Sequence, residues 1–427
     1  MGENKMLDFL INKVYKIFDY IISIKRKFLN IIKNKKCNEK REEHISSIMK
    51  KTGWSREETI KNLDNASKSI GITYAMFDKY DFHNKPIEDR LDSYLNILSS
   101  KKFKNKKLRI AVSNKIKILT VANVTGWSYE YAKTAMQKSK IISGASYENY
   151  ISYRFWEVDE NSQKTYLTAG IGRKLKKKYN TNKAGIRFFL NKDLFNERFN
   201  QFIGRPWLST LDMSWDDFER TFNSVSKIIY KPRASTQGNG IMVFNLDKNG
   251  RELVYKKIQK LPKGIVEGYI QQHSEMNKFS KESVNTIRVV TVYAFNEVNI
   301  LYAAMRMGGG NSVVDNFHAG GILSIIDINT GCLITEGFDM YGNPFTIHPV
   351  TKENIRGFKI PYWDEVIKLV KTAGLVVDGV KYVGWDVAIT ETGPILIEGN
   401  VSPGSLVLQT PYAREHKGMK CIVEKYL

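Results

Sequence analysis

Glu398 and Asn400 stand two residues apart in Ile395-Leu396-Ile397-Glu398-Gly399-Asn400, a run whose apolar character predicts a strand. Side chains two apart on a strand share a face. A turn, Glu391-Thr392-Gly393, links this run back to Val383-Gly384-Trp385-Asp386-Val387. If the two runs pair as a hairpin with Asp386 across from the other two, three oxygen donors converge. Such hard ligands suit Mg²⁺ and leave positions for water and phosphate oxygens. An acidic strand end at a protein surface would also read Glu-x-Asn.

A second stretch has the chemistry to hold phosphate. Ile228-Ile229-Tyr230-Lys231-Pro232 reads as a strand ending in a lysine, and Ser235-Thr236-Gln237-Gly238-Asn239-Gly240 follows. Backbone N–H groups in a small-residue loop can wrap phosphate oxygens, and an adjacent lysine adds a point charge. This is not a Walker loop, which needs Gly-Lys-Ser/Thr directly before a helix. A glycine-rich hairpin with no ligand has the same composition.

These residues need a frame, and the texture after Tyr166 supplies one. Strand-like runs fit Ile228–Tyr230, Ile265–Ile270, Thr286–Ala294, Ile322–Ile328, Val380–Ile389 and Ile395–Glu398, with hairpin turns at Asn329-Thr330-Gly331 and Glu391-Thr392-Gly393. Helices fit Trp215–Asn223, Tyr362–Thr372 and residues 412–425. This predicts an α+β region, mainly antiparallel, over residues 166–427.

Upstream lies a repeat. Thr52-Gly53-Trp54-Ser55 recurs as Thr125-Gly126-Trp127-Ser128, and at the same offset Glu57 matches Glu130, Gly71 matches Gly144, Tyr80 matches Tyr153 and Phe82 matches Phe155. Each copy has a serine suited to N-capping, a first-turn glutamate and a terminating glycine. We read residues 46–165 as a duplicated helical module, with copies near 52–83 and 125–156. It serves as scaffold or docks a partner. Residues 1–45 hold an expected helix over 6–34, with Leu7, Leu10, Ile11, Val14 and Phe18 on an apolar stripe and Lys13, Lys16 and Lys27 mostly elsewhere. Such a helix packs on its own protein or lies on an anionic bilayer.

At 427 residues the chain suits two or three domains. Its net charge of +22 is concentrated in runs such as residues 101–107 and 173–178, but no nucleic-acid-binding motif accompanies it, so nucleic acid is not an expected partner. The three cysteines, Cys37, Cys332 and Cys421, have neither metal-ligand nor disulfide-framework spacing, which fits a reducing cytoplasm. No apolar run approaches the length of a membrane span.

The order of motifs resembles the ATP-grasp superfamily: lysine, glycine-rich loop, Val266-Glu267-Gly268-Tyr269-Ile270, arginine strand, then Asp and Glu-x-Asn. Asn285-Thr286-Ile287-Arg288, Met305-Arg306 and Asp315-Asn316-Phe317-His318-Ala319-Gly320-Gly321 are similar to elements of its glutamate-ligase-like branch. Asn400-Val401-Ser402-Pro403-Gly404 is similar to a motif shared with D-alanine–D-alanine ligases. As a whole the pattern most resembles the sugar-transfer associated ATP-grasp family, over roughly residues 150–427. The resemblance implies two α+β subdomains clasping ATP. It also implies Lys192 and Lys231 on the phosphates beneath a lid of Gln237, Gly238, Asn239 and Gly240. Glu267, Gly268, Tyr269 and Ile270 would form the adenine hinge, with His273 or Glu275 on the ribose. Asp386, Glu398 and Asn400 would hold Mg²⁺ or, alternatively, Mn²⁺. Arg288 and Arg306 would grip the acyl phosphate or substrate carboxylate, and Asn316, His318, Ser402, Gly404 and Ser405 would meet substrate.

The reaction so implied is ATP-dependent joining of a carboxylate to an amine, on a sugar acid or amino acid of bacterial surface polysaccharide. The enzyme would be cytoplasmic, with peripheral contact at the inner face of the membrane. Two rivals remain at this level: a kinase acting on a hydroxyl, which the same fold permits, and a non-catalytic nucleotide-binding subunit of a glycan assembly complex.

Overall fold

The computed structural model describes residues 106–233, 240–281, 283–309, 321–339 and 342–427, with positions 45, 46, 49, 55–57, 59 and 60 upstream. The expected helix of residues 6–34, most of the first repeat copy and the basic run up to residue 105 lie outside the described residues. So do Gln237, Gly238, Asn239, Asn316 and His318.

The second repeat copy folds as its capping residues dictate. Helix α1 (Tyr129–Ser143) starts at Ser128, whose side chain accepts from the Tyr131 amide, and stops at Gly144 with φ of 72°. That left-handed position carries no Cβ penalty for glycine. In the first copy the Thr59 amide donates to the Ser55 carbonyl at 2.9 Å, as Ala132 does to Ser128 at 3.0 Å in the second. The two helix starts therefore match at equivalent residues. Helix α2 (Tyr147–Ser152) follows, with a capping box between Ser146 and Asn149.

The chain packs as two compact units, Met1–Ile116 and Lys117–Leu427. The second repeat copy lies within the second unit and shares a core with the region that follows. Tyr150, Tyr153, Phe155 and Tyr166 pack in one apolar cluster with Val290, Val292, Tyr302 and Tyr382.

Within the second unit are two sheets, antiparallel at every strand pairing described. The first runs β1-β4-β2-β3, comprising β1 (Trp207–Ser209), β2 (Lys227–Pro232), β3 (Met242–Asn245) and β4 (Gly264–Gly268). Helices α3 (Trp215–Phe222) and α4 (Arg251–Gln259) cover it, packing Phe218, Phe222, Val254 and Ile258 on Ile228, Tyr230 and Val266. The second sheet runs β11-β10-β5-β6-β7-β8-β9. Its strands are β5 (Thr286–Ala294), β6 (Glu297–Met307), β7 (Ile322–Ile326), β8 (Gly337–Phe338), β9 (Pro344–Phe345), β10 (Tyr382–Thr390) and β11 (Gly393–Asn400).

Both faces of this second sheet are covered, and the strand period of two sorts its side chains between them. Ile287, Val289, Trp385 and Val387 enter one apolar cluster. Val290, Val292 and Tyr382 enter the other, beneath the helical layer. Arg288 and Asp386 alternate with the first set, so they project toward the helical side.

Several elements depart from expectation, among them the short strands β1, β3, β8 and β9, which the sequence reading does not include. Strand β6 was not anticipated; it pairs with β5 through a turn in which Phe295 and Asn296 have φ of 56° and 62°. Paired positive-φ residues match the right-handed twist of the flanking strands. The helix expected over residues 412–425 is instead helix Leu406–Ala413 and a short turn Cys421–Glu424. Between them the chain is pressed against Thr165: a Cβ on Gly418 would lie 2.4 Å from the Thr165 carbonyl carbon. No helix among the described residues is long and apolar enough to cross a membrane.

Candidate active site

Strand β10 lies between β11 and β5, and this places Asp386 opposite Glu398 on one side and Arg288 on the other. All three therefore share a face. The register between β10 and β11 shifts just beyond Asp386: Asp386 pairs Glu398, but Val387 pairs Leu396. Ile397 is the extra residue of a β-bulge, a device that re-aims neighbouring side chains. Asn400 Nδ2 donates to Glu398 Oε1 at 3.1 Å.

Asp386 is 3% exposed, and guanidinium groups compensate its charge. Arg288 Nε donates to Oδ1 at 2.5 Å and its Nη2 to Oδ2 at 2.9 Å, a two-point fork. Arg306 Nη2 reaches Oδ2 at 2.9 Å, and its Nε and Nη2 also donate to Thr286 Oγ1. Burial pushes the Asp386 carboxyl up, but the two guanidinium groups outweigh it and hold the group at about 2. The arginines expected to grip substrate thus also hold the expected metal ligand.

Two carboxylates and an amide, brought to one face by strand register, are the kind of oxygen donors a hard divalent cation takes. Among the described residues no three His, Cys, Asp or Glu side chains gather as a metal cluster. A cation here would share Asp386 with two guanidinium groups.

The two lysines expected on the phosphates come from the other sheet and the helix beside it. Lys231, at the end of β2, has Nζ 2.5 Å from Glu267 Oε2 on β4. Glu267 is fully buried; Arg205 Nη2 and Asn196 Nδ2 donate to its Oε1 at 2.6 and 2.8 Å. Burial raises the Glu267 carboxyl, Arg205 and Lys231 lower it, and the result is about 2. Lys192 opens helix α5 (Lys192–Arg198). Its ammonium is lowered by burial, pulled back up by nearby Glu398 and lowered by Lys231. Lys192, Lys231 and Glu398 are therefore electrostatic neighbours, although they come from three separate elements.

The hinge residues are more restricted than the sequence suggested. Glu267 spends its side chain internally, and the amides of Gly268 and Tyr269 donate to the Pro206 and Lys227 carbonyls at 2.9 Å each. Those N–H groups are not on offer to a base. The Ile270 amide, just beyond β4, is the hinge donor left to consider. Gly240 has φ of 76°, and a Cβ there would lie 2.9 Å from Pro232 Cγ, so only glycine fits beside the β2 end.

Neither ribose candidate joins this cluster. The His273 amide donates to the Ile389 carbonyl, three residues along β10 from Asp386, and its ring faces Glu391 and Tyr362. Glu275 pairs with Lys278 one turn away. Of the expected substrate residues, Ser402 and Gly404 are exposed; Ser402 Oγ accepts from Lys176 at 2.7 Å and the Gly404 carbonyl accepts from Tyr302. Ser405 is buried, its hydroxyl contacted by Tyr153 at 3.2 Å and Asn149 at 3.5 Å. These contacts tie Ser405 to the helical layer. Sequence reasoning missed Arg205, which no local motif marks.

A family model described as sugar-transfer associated ATP-grasp matches residues 174–420. Similar solved structures include an ATP-grasp ligase, PsnB, complexed with a phosphomimetic precursor variant, Mg and ADP. It is 14% identical, with 58% of this chain and 60% of that chain covered and a TM-score of 0.34. The D-alanine–D-alanine ligase from Coxiella burnetii is 10% identical, with 57% of each chain covered and a TM-score of 0.35. That from Bacillus anthracis is 12% identical, with 61% and 75% covered and a TM-score of 0.35. The chain spans less than two thirds of the first two. No protein of curated function matches it.

Proposed function

This chain belongs to the sugar-transfer associated ATP-grasp family, and from that premise we propose that it is an ATP-dependent ligase joining a carboxylate to an amine. The observation that carries the reading is the placement of Asp386 opposite Glu398, with Asn400, Arg288 and Arg306 around them and Lys192 in electrostatic reach of Glu398.

A carboxylate is a poor electrophile because oxide would have to leave. A carboxylate oxygen therefore attacks the γ-phosphorus of ATP, the bond to the β–γ bridging oxygen breaks, and ADP departs. The amine nitrogen then attacks the acyl carbon, the C–N bond forms, and phosphate leaves as the nitrogen gives up a proton. Mg²⁺ held by Asp386, Glu398 and Asn400 would neutralise phosphate charge. Lys192 and Lys231 hold phosphate oxygens as point charges. Arg288 and Arg306 keep the approaching carboxylate beside the phosphoryl group and stabilise the charge that develops there. Fixed strands hold these groups in register, which lowers the entropic cost of bringing two anions together.

The substrate in this reading is a sugar acid or amino acid of a bacterial surface polysaccharide, a choice supported only by the family's association with sugar transfer, and the scattered cysteines support a cytoplasmic enzyme. Product analysis decides the chemistry. Incubation with ATP, candidate sugar acids and amines should yield an amide, ADP and free phosphate in equal amounts. A phosphorylated product without free phosphate would make the enzyme a kinase and overturn the ligase reading.

A further inference from the structure

Arg205 precedes β1, and its side chain is 5% exposed. One guanidinium bridges the two sheets. Nη2 donates to Glu267 Oε1 on β4 at 2.6 Å, and Nη1 donates to the Leu396 carbonyl on β11 at 2.8 Å and to that of Ile203 at 2.9 Å. The other oxygen of Glu267 holds Lys231. Leu396 lies on the far side of the bulged residue from Glu398. A continuous path thus runs from the lysine of one sheet, through Glu267 and Arg205, to the bulge that aims Glu398 in the other.

Folding stability alone does not account for this arrangement. A buried ion network is weak support for a fold, since desolvation offsets the Coulomb attraction. Arg205 Nε is moreover buried without a hydrogen-bond partner among the described residues, an unmet donor that costs stability. The fork geometry of arginine, with its fixed donors, is what allows one side chain to serve a carboxylate and a strand carbonyl together.

We propose that Arg205 is a positioning residue that sets Lys231 relative to Glu398, so that nucleotide and divalent cation bind cooperatively. This rests on the reading of Glu398 as a metal ligand and Lys231 as a phosphate ligand. Coupling between two sites is typically 5- to 150-fold in affinity, and here it would be carried by a rigid side-chain path.

The test is calorimetric titration of ADP into the full-length protein, with and without MgCl₂, for wild type, Arg205→Lys and Arg205→Met. Wild type should bind ADP more tightly with Mg²⁺. Arg205→Met should lose about tenfold of that enhancement, read as the ratio of its ADP affinities with and without Mg²⁺. Arg205→Lys, which keeps the charge but not the fork, should fall between and decides the matter if the methionine variant fails to fold. Wild-type enhancement in the lysine variant, or an equal loss with and without Mg²⁺, overturns the proposal. Absence of any enhancement in wild type refutes the metal reading itself, and the role of Arg205 with it.

Discussion

Lys231 and Glu267 form a buried ion pair across β2 and β4, Nζ to Oε2 at 2.5 Å. The lysine proposed to face phosphate is therefore held by a carboxylate that is itself held by Arg205 and Asn196. Lys231→Ala should weaken ATP binding by about 10- to 100-fold, the range expected for one charge-assisted hydrogen bond. Calorimetry checks this; unchanged affinity would make the lysine structural only.

Asp386 and Glu398 face each other but have different partners, and their variants should separate. Asp386→Asn removes the charge that balances Arg288 and Arg306 in a buried setting, which costs about 3–5 kcal/mol. Glu398 is half-buried and keeps its Asn400 partner as glutamine, so Glu398→Gln should cost less than about 1 kcal/mol. Urea unfolding of the two variants measures the difference; equal costs would mean the arginine clamp is not energetically coupled to Asp386.

Acid should expose the same clamps. The folded carboxyls of Glu267 and Asp386 sit at about 2, below their ordinary 4.5 and 3.8. A carboxyl lowered on folding adds stability that is complete above its unfolded value and is lost as pH falls through the folded one. Melting temperature should therefore drop between pH 4.5 and 2, and Glu267→Gln should flatten that slope. A variant as acid-sensitive as wild type would contradict the assignment.

Much of this frame was legible in the sequence because it is local. Strand β5 was expected over Thr286–Ala294 and has those bounds, since nearly every residue in it is apolar or β-branched. The hairpin of β10 and β11 follows from the two-residue loop Glu391-Thr392, with Gly393 beyond it at φ of 121°. Strand β6 escaped notice because Tyr302-Ala303-Ala304 is buried on both faces and shows no alternation. The Arg205–Glu267 link joins residues far apart in sequence. Nor could a motif foretell that Ser405 would be held by Tyr153 and Asn149 of the helical layer.

The amino-terminal helix expected over residues 6–34 lies outside the described residues, and its role stands as a proposal from charge and apolar spacing. Each basic residue near an anionic surface contributes about 1 kcal/mol, and salt screens the attraction. We expect the full-length protein to float with anionic vesicles at low salt, and deletion of residues 1–40 to abolish this without loss of ATP turnover. Equal flotation without the segment would make it a packing element.

We propose that the face shared by Asp386, Glu398 and Asn400 is a metal-assisted ATP site. Calorimetric titration of ATP into wild type and Glu398→Gln, each with and without MgCl₂, tests it most directly. Wild type should bind ATP more tightly with Mg²⁺, and Glu398→Gln should lose at least about tenfold of that Mg²⁺-dependent gain while the protein stays folded. A glutamine variant that binds MgATP as wild type does would contradict it.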